Sequence, residues 1–108
     1  MDFVAIFVVV ERGKADYIVD EAKEAGAFGA TIFYGRGTGE KEFKKFFNLN
    51  VESSKEIIFI LTPQKDKGPI IDALVKAGKL DDPGTGILFT VPVGDLMGLH
   101  HREGINKD

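Results

Sequence analysis

The chain has 108 residues, 44% of them hydrophobic and 29% charged, and a formal net charge of -3. Length and composition give one globular domain and exclude a disordered or fibrous chain. There is no cysteine, which excludes disulfides, thiolate catalysis and cysteine metal sites, and the acidic balance argues against nucleic acid as a partner.

Residues 3–10 form an unbroken apolar run, mostly β-branched and aromatic. It predicts a strand with two apolar faces. It follows Asp2 rather than a basic segment and is too short to cross a bilayer as a helix. The chain therefore reads as soluble and cytoplasmic, without direct membrane insertion. Over 14–25, Ala15, Ile18, Val19 and Ala22 recur at helical spacing, and Gly26 suits the position just past a helix end. Residues 30–34 predict a second strand. A long loop follows over about 36–54. Residues 57–61 predict a third strand, stopped by Pro63. Pro69 suits the first turn of a second helix, with Ile70, Ala73, Leu74 and Ala77 on its apolar face and Gly78 at its end. Residues 87–91 predict the fourth strand. The chain turns polar from Gly94, with a flexible tail expected after about 102.

The order β-α-β-β-α-β predicts one α+β domain over 1–108. Its expected fold is ferredoxin-like, an antiparallel sheet with both helices on one face. Such a sheet normally alternates apolar and polar residues, and strands one, three and four do not. Two helices cannot cover both faces, and an open apolar face of that size is unusual on a monomer. A closed homo-oligomer with sheets facing inward resolves the conflict; a tail folded back over the sheet is the other solution.

No residue set points to catalysis. Ser53 and Ser54 have no evident base, no phosphate-loop or dinucleotide fingerprint is present, and His100 and His101 are adjacent rather than at ligand spacing. The expectation is a protein that is not an enzyme and holds no metal. Two glycine-rich segments stand out. Gly35, Gly37 and Gly39 alternate with Arg36 and Thr38, with Lys41 close by. Gly84, Thr85 and Gly86 precede the fourth strand. Glycines let successive backbone N–H groups turn outward as an anion nest, with Arg36 and Lys41 adding charge. As isolated features such segments are ordinary turns; they gain meaning if they meet. In the long loop, Phe43, Phe46 and Phe47 alternate with charges. They read either as residues packed on a subunit or as the docking face of a mobile loop.

Together these residues resemble the PII signal-transduction superfamily. The resemblance runs from Phe3 to Val93 and rests on 26–31, on Gly37-Thr38-Gly39, on Pro63, and on Gly84-Thr85-Gly86-Ile87. It implies a homotrimer of ferredoxin-like subunits that binds adenine nucleotides (ADP, ATP or AMP, with or without Mg) in intersubunit clefts. It also implies that the long loop, the T-loop, controls a partner such as a membrane transporter or an enzyme. Carried onto this chain, Gly37, Thr38 and Gly39 form the T-loop base, and Gly84, Thr85 and Gly86 the phosphate cradle. Thr31 and Thr62 approach the adenine from strands facing the cleft, and His101 and Arg102 supply C-terminal phosphate contacts. Ile87 stands where the family's phosphate-binding lysine is expected, and Lys41 where a glutamine used for 2-oxoglutarate is expected. The resemblance is thus to a PII-like protein, not a standard nitrogen sensor, with ADP or AMP expected to bind about as well as ATP. The alternatives are a metal-binding trimer of the divalent-cation-tolerance type and a weak ATPase.

Overall fold

The computed structural model of the protein describes residues 2–37 and 53–99. The elements are β1 (Phe3–Glu11), α1 (Ala15–Glu24), β2 (Thr31–Gly37), β3 (Ser53–Pro63), α2 (Lys67–Gly78) and β4 (Gly86–Val93). A 3-10 turn, Gln64–Asp66, joins β3 to α2. The sheet order is β2-β3-β1-β4, with every pair antiparallel. This is the expected ferredoxin-like arrangement. One boundary differs: the loop is shorter at both ends than 36–54. Arg36 pairs with Ser54 and Gly37 with Ser53, because the ladder is made by backbone N–H and C=O groups, which every one of these residues carries.

Strand alternation sorts the sheet into two faces. On one face Ile6, Val8, Ile58 and Ile60 are fully buried against Ile18 of α1 and Ile70 and Leu74 of α2. Each such side chain contributes about 1.5–3 kcal/mol by leaving water. The other face carries Phe7, Val9, Ile57, Phe59, Ile87, Phe89 and Val91. Phe7 stacks between Phe59 and Phe89, with ring centroids 5.0 and 5.1 Å apart. Phe89 and Val91 remain 45% and 42% exposed. The strands are thus apolar on both faces, as the sequence predicts, and the helices cover only one.

The helix ends are set by specific backbone bonds. After α1, Gly26 takes φ 121°; its N–H donates to Lys23 O, and the Ala27 N–H to Ala22 O at 3.0 Å. That is a Schellman closure. After α2 the left-handed residue is Lys79, at φ 53°. Gly78 itself is buried as the last helical residue, and a Cβ there would lie 3.1 Å from Leu80. The start of α1 has no cap from its own segment. Glu56 of β3 does that work: its Oε1 accepts from Gly13 N at 3.0 Å and Ala15 N at 2.8 Å. A carboxylate here answers the unpaired N–H groups and the positive end of the helix together. Glu56 is among the buried residues, although charged residues leading into a strand read as solvated.

Glu56→Ala leaves two N–H groups of the β1–α1 turn unpaired and is expected to cost about 3 kcal/mol, read from the urea midpoint. Lys79→Gly relieves a left-handed residue and is expected to raise stability by about 1 kcal/mol in the same measurement.

Candidate functional site

The two glycine-rich segments line one cavity from opposite edges of the sheet. A cavity of about 490 Å³ is lined by Gly35, Arg36 and Gly37 of β2, Lys55 of β3, and Gly84 and Gly86 at the head of β4. Val9, Ile57 and Ile87 supply its apolar wall, and Glu11 also lines it. The volume is in the range of small-molecule sites. It arises at one end of the uncovered sheet face because β2 omits side chains there. A Cβ at Gly35 would lie 3.0 Å from Ile57 Cδ1, and one at Gly37 would lie 3.3 Å from Lys55 Cε.

Gly86 is glycine for another reason. A Cβ there would lie 2.5 Å from the Val9 carbonyl oxygen and 2.9 Å from Val10 Cγ1, so it secures the pairing of β4 with β1. Gly84 takes φ 77°, a conformation that glycine adopts at little cost. The Thr85 hydroxyl is within 2.7 Å of Lys79 O and 3.0 Å of Asp82 O. It donates within its own loop, and Thr85 is not among the residues lining the cavity.

Thr31 and Thr62 do not join this cavity within one chain. Thr31 lines a smaller one, about 200 Å³, with Phe28, Phe59, Leu61 and Leu99. Thr31 and Gly35 are four residues apart on β2, roughly 13 Å along an extended strand. The two cavities therefore occupy opposite ends of the uncovered face. Thr62 was expected to face the cleft. It is buried on the helix side instead, 3% exposed, because the two-residue period groups it with Glu56, Ile58 and Ile60. Its hydroxyl is 3.3 Å from Pro63 O. Thr38, Gly39, Lys41, Phe43, Phe46, Phe47, His101 and Arg102 lie outside the described residues.

Three charged residues at or beside the site were not singled out from sequence: Glu11 and Lys55 in the cavity, and Glu56 behind it. The available signal was the strand period across 55–62, which sends Lys55 to one face and Glu56 to the other. Among the described residues, no three His, Asp or Glu side chains gather to hold a metal, and no helix is long and apolar enough to cross a membrane.

The sequence model of the nitrogen regulatory protein P-II family matches residues 3–103. No curated protein matches the chain. The crystal structure of Arabidopsis thaliana PII bound to citrate superposes with a TM-score of 0.71 at 18% identity, covering 91% of this chain and 83% of that one. At that identity the superposition speaks for the fold alone.

Gly86→Ala is expected to lower stability by about 1–3 kcal/mol through its overpacked contact with β1. Gly37→Ala, which meets only the stem of Lys55, is expected to stay within about 0.5 kcal/mol of the parent. Paired thermal melts of the two variants test the distinction.

Proposed function

The chain belongs to the nitrogen regulatory protein P-II family, a family of signal-transduction regulators, and on that premise we propose that it senses adenine nucleotides as a homotrimer and controls a partner through its long loop. The observation that carries the reading is the convergence of both glycine segments with Arg36 and Lys55 in one cavity. Glycine-rich backbone and the Lys55 ammonium suit a phosphate chain. The aromatic and aliphatic cavity around Thr31, with Phe28 and Phe59, suits the flat apolar surface of adenine. Because the two cavities occupy opposite ends of the uncovered face, a ring of subunits packed on that face would bring one subunit's phosphate half toward its neighbour's adenine half. Thr38, Gly39, Lys41, His101 and Arg102 would add contacts from the loop and tail. The Arabidopsis relative was crystallised with citrate, a polyanion, which agrees with an anion-binding reading of the fold.

Regulation would follow from differential binding. A nucleotide that fits one loop conformation better shifts the population toward it, and the partner reads that conformation. A transporter or an enzyme is the partner class, and Phe43, Phe46 and Phe47 are the docking candidates. With Ile87 opposite the phosphates, ADP and AMP are expected to compete well with ATP. The protein would act by binding, with no tightly held cofactor and Mg entering only with the nucleotide, and would work in the cytoplasm.

Calorimetric titration with ADP, ATP and AMP, each with and without Mg, tests the reading. Saturable binding at one site per subunit is expected, and Gly37→Val, which fills the trough over Lys55, should weaken it at least several-fold without lowering the melting temperature. Sedimentation should give three times the 11.8 kDa of one chain. Heat-silent titrations with no shift in melting for any nucleotide would sink the nucleotide assignment, and a monomeric mass would sink the trimer.

A further inference from the structure

The nucleotide reading uses Lys55 but leaves its ion-pair partner, Glu11, without a role. Glu11 and Lys55 are direct partners in the β1–β3 register, and Lys55 Nζ donates to Glu11 Oε2. Both residues line the cavity. The Lys55 side chain is 20% exposed and that of Glu11 39%, so the lysine is the more sheltered partner and the carboxylate the more open to water. The lysine's stem runs along Gly37, where a Cβ would lie 3.3 Å from Cε and 3.4 Å from Cγ. From β3 the ammonium reaches Glu11 on the adjacent β1. Ile87, on the β4 side, carries no charge there.

We propose that Glu11 is a resident competitor for Lys55: an anion entering the cavity must take the ammonium from this carboxylate, and Glu11 thereby sets how much negative charge a ligand needs. The inference rests on the cavity being the phosphate site proposed above. Lys55 has three donors, but a phosphate bound to it would stand within a few ångströms of the Glu11 carboxylate, and like charges at that range repel. Glu11, already the more exposed partner, turns outward as the anion arrives. A ligand with several charges, such as pyrophosphate or the diphosphate of ADP, offsets the lost ion pair through Lys55 and the backbone together. A singly charged anion does not.

The test is calorimetry on the full chain with two probes, ADP and inorganic pyrophosphate. It compares the parent, Glu11→Gln, Lys55→Gln and the double variant, with melting temperatures recorded for each. Glu11→Gln is expected to tighten both probes by about fivefold, the most that breaking a half-exposed pair releases. Lys55→Gln is expected to weaken both by about tenfold, the loss of one charge-assisted contact. In the Lys55→Gln background, Glu11→Gln should bring a clearly smaller gain, the relief of like-charge repulsion alone. Glu11→Gln binding that is unchanged or weaker in a folded variant overturns the proposal, and so does an equal gain without Lys55. If pyrophosphate follows the expected series while ADP binds to no variant, the nucleotide reading falls and the competitor stands. If ADP binds the parent and Glu11→Gln alike, the competitor falls and the nucleotide reading stands. Binding of neither probe to any variant removes both.

Discussion

The carboxylate of Glu56 ties three parts of the chain together. It sits on β3, yet it accepts the N–H groups of Gly13 and Ala15, so it joins the sheet, the β1–α1 turn and the first turn of α1. Few substitutes exist for it. The orphan donors at a helix start need an acceptor, and the N-cap position of α1 supplies none. A strand admits no local adjustment of which face a residue takes, because a shift of one residue flips every side chain. Glu56 held inward therefore means Lys55 held outward. The contact that starts α1 also fixes which residue brings an ammonium to the cavity on the other face.

That second face carries the main unresolved demand of the fold. Burial of Ile6, Val8, Ile58 and Ile60 under the helices explains one side of β1 and β3. It leaves the row Phe59–Phe7–Phe89 stacked in the open. A stacked aromatic row is a poor surface for water and a good one for another sheet. The proposed trimer satisfies this demand in a particular way. A threefold ring is heterologous, so each subunit presents one end of the face to one neighbour and the other end to the next. The two ends here are chemically unlike. One has glycines, Arg36 and Lys55; the other has Phe28, Phe59 and Thr31.

Much of this was legible in the sequence, and the gaps have physical causes. The helices were read from Ala15, Ile18, Val19 and Ala22 and from Ile70 and Leu74, because burial against a sheet imposes a spacing. The doubly apolar strands were read from composition alone. The strand ends were not: pairing through Arg36, Gly37 and Ser54 depends on backbone geometry, to which side-chain patterns are blind. Thr62 was assigned to the cleft by likeness, but the alternation set by Ile58 and Ile60 places it inward. Glu56 was missed because a charge beside a lysine usually means water. Only the fold reveals that a helix start lies above it, 41 residues away in the chain. The ferredoxin-like order makes a convergence of the two glycine segments plausible, but that they line one cavity from opposite edges of the sheet is seen only in the fold.

Glycine makes the same point at finer grain. Gly35, Gly37, Gly84 and Gly86 read alike in sequence, as loop residues able to turn N–H groups outward. In the structure their reasons diverge. Gly86 is fixed by the backbone of β1, and any side chain there collides with it. Gly35 and Gly37 lie within a strand, where glycine weakens pairing and gives nothing to pack. A Cβ at 37 would touch only a flexible lysine stem, so folding alone gives no reason to keep that site bare. What the omission leaves is an open trough on β2 beside the Lys55 stem. The cavity's ammonium comes from β3 beside Glu11, and Ile87, where the family resemblance leads one to expect lysine, need not leave the cavity without its cation.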